Sequence, residues 1–226
     1  MLVSFWLLFV VVCRRNPCAI SMLFLGTVCT PLTIMAVAII PEPIKPTVKE
    51  PPSGDVVVVV DCSHSSNKTC IDAAVATSKP MMISHSNCDA YQHIGRNVSD
   101  EAIKAVGATG GVICVNFIGG FLNPQGDATP YSIAKHVQHI RNLAGVEATC
   151  SGSDYVFNYG DTLDWILRNP KMFPPEMGYA SPSHMGKPGE VWGVVRVLQD
   201  TYGWTDKEIR GFLGENLQRV YKANWK

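Results

Sequence analysis

The sequence lacks a surplus of either charge: 19 lysines and arginines stand against 19 aspartates and glutamates in 226 residues. A nucleic-acid-binding domain carries a basic patch or stripe, so nucleic acid is excluded as a partner class. No G-x-G-x-x-G follows any apolar run, which removes the main argument for a doubly wound dinucleotide-binding sheet. The eight cysteines include no C-x-x-C and no C-x-x-C-H. That spacing argues against a zinc knuckle, and Cys62, Cys114 and Cys150 are expected as buried free thiols rather than a disulfide framework. Histidine is scarce as well: six in all, and none before His64.

What is present divides the chain into three parts. Residues 1–40 are an apolar leader broken by Arg14 and Arg15, and Cys18 to Ile40 runs without a charge. A bilayer span takes roughly 20 apolar residues, so residues 18–40 are long enough for a membrane anchor, and Pro31 is tolerable within one. The first run resembles a signal-peptide core without its basic N-terminal flank. These features predict a membrane-associated or exported protein; the alternative is a leader without a selected role, on a cytoplasmic protein. Residues 41–54 (PEPIKPTVKEPPSG) are a Pro-rich linker that cannot continue a helix.

From residue 55 the pattern alternates strand and helix. Val56–Cys62 is a β-branched run suited to a strand buried on both faces. Strands are expected at Met81–Ser84, Val112–Phe117 and Ala148–Ser153. Helices are expected over Lys68–Thr77, after the Ser99 N-cap, and along Ile133, Val137, Ile140 and Leu143. Three more close the chain at Asp161–Arg168, Glu190–Thr201 and Thr205–Ala223, the last opened by a Thr205/Glu208 capping box and broken near Gly214. Four βα units at this spacing predict parallel strands joined by right-handed crossovers.

The chemistry gathers at the strand ends. VVVVVDCSH ends on His64, MMISHS carries His85, and ATCSGSD ends on Asp154. Polar residues at the C-terminal ends of parallel strands form the active-site rim of an α/β barrel. Adjacent strands lie roughly 4.8 Å apart, so His64 and His85 can meet at one metal ion. Asp154 is a candidate third ligand or proton carrier. Arg96, in HIGRN, can clamp a carboxylate with paired hydrogen bonds. His136 and His139 sit three residues apart on a helix and are expected on an exposed face.

Together, DCSHSS (61–66), PMMISHSN (80–87), Arg96-Asn97, GGVICVNF (110–117), SGSD (151–154) and GENLQRV (214–220) resemble the membrane dipeptidase (renal dipeptidase) family of zinc metallopeptidases. The resemblance covers about residues 55–226, its C-terminal half. It implies the last four βα units of a (β/α)8 TIM-type barrel and a zinc-dependent dipeptidase with a dipeptide substrate. It further implies that His64 and His85 bind the second zinc, that Arg96 holds the substrate carboxylate, and that Asp154 is catalytic in proton transfer. The family's first-strand His-x-Asp and fourth-strand bridging glutamate have no counterpart here. Tyr155-Val156-Phe157 stands where the family has F-D-G.

Two rival expectations follow from those departures. One is a catalytically inactive, membrane-tethered peptide-binding protein. The other is a truncated gene remnant. A half barrel also predicts two unpaired sheet edges and association to cover them.

Overall fold

The computed structural model describes residues 9–13, 20–22, 58–179 and 182–225, the first two stretches through their backbone pairing. Strands β1 (Phe9–Cys13), β2 (Ile20–Met22), β3 (Val58–Asp61), β4 (Met82–Ile83), β5 (Val112–Val115) and β6 (Thr149–Ser151) form one sheet in the order β2-β1-β3-β4-β5-β6. Pairing from β3 to β6 is parallel, as four consecutive βα units require. The barrel is open.

Two short pieces of the leader pair with the sheet. Residues 20–22, inside the anticipated span, pair as a strand on β1, and β1 pairs antiparallel on the outer edge of β3. An apolar run rich in valine suits a strand as well as a span, and an open sheet edge offers hydrogen bonds to it. Of the two edges expected to be free, that of β3 is therefore occupied. Among the described residues no helix is long and apolar enough to cross a membrane. Most of the expected span and the linker 41–54 lie outside the described residues.

Helices α1 (Asn67–Ala76), α2 (Asp100–Ala108), α4 (Pro130–Ala144) and α6 (Val191–Asp200) start close to the expected positions, with the short α3 (Gly119–Leu122) and α5 (Tyr159–Leu167) between them. Ser66, Ser99 and Thr129 each accept a backbone N–H at the N-terminus of their helix, about 1 kcal/mol apiece. The Thr205/Glu208 capping box opens α7 (Asp206–Arg210). A π-helical turn, Gly211–Glu215, with non-helical Gly214 inside it, leads on to α8 (Asn216–Asn224).

Strand alternation splits the core in two. Ile83, Ile113 and Val115 pack with Ile103, Val106, Ile133, Val137, Ile140, Leu198 and Phe212 on the helix-covered face. Val59, Met82, Val112, Cys114 and Cys150 face the other way, onto Val220, Leu217 and Tyr221 of the C-terminal region. Polar bonds fix α8 across the N-terminal ends of the strands. Asn216 Nδ2 donates to the Val146 and Thr149 carbonyls, and Arg219 donates to those of Gly110 and Glu147. Asn224 Nδ2 donates to Pro80 O, and Lys79 Nζ donates to Asn224 O. This gives the GENLQRV motif a physical role: it closes the end of the sheet opposite the histidines.

The cysteines correct the sequence expectation. Cys62 and Cys70 form a disulfide, as do Cys114 and Cys150, with Cα atoms 5.6 and 4.1 Å apart; Cys88 is free and buried. Cys114 and Cys150 are direct cross-strand partners in the β5–β6 ladder, a proximity set by register that sequence spacing does not reveal.

Candidate active site

The C-terminal ends of β3 to β6 turn into tight, polar loops. Among the described residues, His64 (φ 65°) and Asp154 (φ 54°) are the only non-glycine residues with a left-handed backbone. Such conformations are uncommon outside glycine and cluster at functional sites. Gly152 lies against the neighbouring strand end: a Cβ there would stand 2.1 Å from the Ser84 carbonyl oxygen. Only glycine lets the chain leading to Asp154 run this close to β4.

The two histidines meet. His64 Nε2 and His85 Nε2 are 2.9 Å apart, with ring centroids 4.9 Å apart. On its other side His85 Nδ1 is 2.7 Å from Ser84 Oγ. Burial, reinforced by the Arg96 charge, holds the His64 pKa down to about 3 although part of the residue remains exposed; the same causes lower that of His85 well below its usual value. Both rings are therefore neutral near pH 7, the state in which an imidazole offers a lone pair.

Arg96 is buried, 4% exposed. Its Nη1 donates to Ser86 Oγ and its Nη2 to the His85 carbonyl, each at 2.6 Å, and Nη2 lies 3.4 Å from His64 Nε2. The guanidinium rests on the Phe121 ring, 5.5 Å from its centroid. Arg96 Nε is buried without a partner. Burial raises the Asp154 carboxyl to about 6, opposed by attraction to Arg96.

A layer of residues that the sequence reading passed over supports this group. The Asp61 carboxylate accepts the backbone N–H groups of Ser63 and Ser84, both at 3.0 Å, and ties the end of β3 to that of β4. Ser63 Oγ accepts the His85 backbone N–H at 2.9 Å. The signal was in DCSHSS itself: an aspartate closing a run of valines must find donors if it is buried.

His136 and His139 are not on an open face. His136 is 1% exposed, accepts the Cys88 N–H at Nδ1 and bonds the Leu122 carbonyl through Nε2. His139 contacts Asp100, and exposed His93 contacts Asp89. These are satisfied structural histidines.

The fit to a metal can be tested on this geometry. Two nitrogens bound tetrahedrally to one zinc at about 2.0–2.1 Å stand about 3.3 Å apart, close to the observed separation. His64 and His85 therefore fit as a pair. Among the described residues no group of three potential ligands forms, so Asp154 does not join them as a third.

Comparison with known proteins bears on the family and the fold. Residues 54–165 match the family model for membrane dipeptidase, peptidase family M19. An uncharacterized dipeptidase of Schizosaccharomyces pombe is 30% identical over 167 residues, 73% of this chain and 35% of that protein. An amidohydrolase structure from Pseudomonas aeruginosa superposes with a TM-score of 0.62 at 25% identity, over 74% of this chain and 53% of that one. A metallopeptidase from Rhodobacter sphaeroides, liganded with a phosphinate mimic of the dipeptide L-Ala-D-Ala, gives 0.54 at 18% identity, over 73% and 42%. The chain thus spans about half the length, or less, of the relatives it matches. By its motifs, its family match and its open parallel sheet, the chain belongs to the membrane dipeptidase family and corresponds to that family's C-terminal half.

Proposed function

We propose that the strand-end site serves zinc-dependent hydrolysis of dipeptides to free amino acids. The observation that carries this reading is the convergence of two neutral imidazoles through their Nε2 atoms. His64 and His85 would hold the zinc, which when bound polarises a carbonyl and lowers the pKa of a water to about 7. Arg96 would orient the substrate carboxylate through the second hydrogen of Nη1, since the other Nη1 hydrogen is held by Ser86 and those of Nη2 by the His85 carbonyl and His64 Nε2. Asp154, with a carboxyl near 6, is suited to accept a proton and return it to the leaving amine near neutral pH.

Catalytic zinc typically has three protein ligands, and this pair supplies two, so hydrolysis requires a further donor. That shortfall favours a second reading, a peptide-binding protein without turnover, in which Arg96 still recognises a carboxylate. The two disulfides support an exported or membrane-associated protein, because such bonds persist in oxidising compartments. The β6 edge, which no described strand covers, would be the surface for any association that completes the sheet.

The test is hydrolysis of L-Ala-L-Ala and L-Ala-D-Ala by the full chain, with and without added zinc. Zinc-dependent turnover that Asp154→Asn abolishes, with KM raised by Arg96→Met, supports the hydrolase. Dipeptide binding that Arg96→Met weakens, without turnover, supports the binding protein. Neither binding nor turnover would sink both readings.

A further inference from the structure

A metal-binding imidazole must carry its proton on the nitrogen that faces away from the metal. For His85 that nitrogen is Nδ1. We propose that Asp61, Ser63 and Ser84 form a hydrogen-bond relay that fixes His85 in the Nδ1–H tautomer and leaves Nε2 as a lone pair aimed at His64. The inference deepens the metal-site reading, and its primary readout stands apart from metal binding.

Hydrogen-bond direction sets the tautomer. An ionised carboxylate only accepts. Asp61 is 6% exposed and its partners are the backbone and hydroxyl groups of Ser63 and Ser84. Ser63 Oγ accepts the His85 N–H and, at 3.2 Å, the Ser84 hydroxyl, so its own proton points to Asp61. The Ser84 proton is spent on Ser63 or on Asp61. In either case Ser84 Oγ has no proton left for His85 and can only accept, at 2.7 Å, from Nδ1–H. Arg96 Nη2 can only donate, so its 3.4 Å contact asks for a lone pair on His64 Nε2 as well, and the two Nε2 atoms, 2.9 Å apart, then face each other as acceptors, as a shared cation requires. Asp61, Ser63 and Ser84 touch no reacting atom and are positioning residues. Partners of metal-binding histidines fix tautomer and ring orientation in this way, and their loss weakens metal binding by about 10–100-fold.

The relay can be tested on the full chain labelled with 15N-histidine, metal-free at pH 7.5, with the His85 signal assigned by its loss in His85→Gln. The wild type should show protonated Nδ1 and pyridine-like Nε2. Asp61→Asn puts an amide donor where the chain needs an acceptor, and should shift His85 towards Nε2–H although the side chain is nearly isosteric. Ser84→Ala should remove the preference and Ser84→Thr should keep it. Zinc affinity should fall about 10–100-fold in Asp61→Asn and Ser84→Ala and stay near wild type in Ser84→Thr. The relay is overturned if wild-type His85 carries its proton on Nε2, or if both disrupting variants leave the tautomer unchanged. The expected tautomer in a chain that takes up no zinc would support the relay and defeat the metal-site reading instead.

Discussion

At their N-terminal ends, strands β4 to β6 meet α8 through neutral or singly charged donors, each set on a backbone carbonyl. At their C-terminal ends, β3 to β6 meet a buried guanidinium, one buried and one half-buried carboxyl, two suppressed imidazoles and two residues with left-handed backbone. The sheet thus has a closed end, where Arg219 Nε alone among these donors is buried without a partner, and an open end of crowded charges. Buried charge and strain persist only where surrounding structure over-determines them. The difference teaches that stability in this chain resides in the α8 end and the helix-covered core, and chemistry in the rim.

That contrast can be broken from either end. Asn216→Ala leaves the Val146 and Thr149 carbonyls without their donor, about 1–3 kcal/mol for each. Urea denaturation should show the loss, while zinc affinity of the folded fraction stays unchanged. Removing the Cys114–Cys150 bridge by paired serine substitution should lower stability by about 2–4 kcal/mol, because it frees a 36-residue separation in the unfolded chain. Peptide mapping without reductant should recover the 114–150 and 62–70 linkages.

Away from the rim histidines, acid should act through His136, whose pKa burial lowers to about 4. Its neutral form is favoured in the folded state, so the unfolded chain binds the proton first. The stability it contributes is full above about 6.5 and is lost as pH falls towards 4, about 3 kcal/mol in all. Protonation also removes the acceptor of the Cys88 N–H. Replacement by glutamine should flatten the dependence of the urea midpoint on pH across that window.

The smallest effect should have the opposite sign. Asp154→Asn removes a carboxyl whose ionised form is disfavoured by burial, at a left-handed position that asparagine tolerates. Apo stability at pH 7.5 should rise by about 1 kcal/mol, as expected where a site trades stability for function, while any hydrolysis is lost. A fall in stability would show that the rim is not the strained end.

Much of this was legible in the sequence. The β-branched run Val56–Cys62 and the apolar runs after it marked the four parallel strands, Ser99 and the Thr205/Glu208 pair marked helix starts, and His64, His85 and Arg96 do converge. The rest depended on register and depth. Cys114 and Cys150 become neighbours only once β5 and β6 are aligned. His136 and His139 share a helical spacing, but packing against Cys88 and Leu122 buries the first almost completely. The pairing of Phe9–Cys13 with the edge of β3 was not legible either, because an apolar run carries no period that names its partner. Asp61 was read only as part of a motif, because nothing in a one-dimensional pattern shows which donors a carboxylate will meet.

The most direct test of the central claim is equilibrium zinc binding by the full chain, wild type against His64→Ala and His85→Ala. The account predicts one zinc bound per wild-type chain and none in either variant, with the fold intact by urea denaturation. No zinc in the wild type, or uptake unchanged by both substitutions, would contradict it.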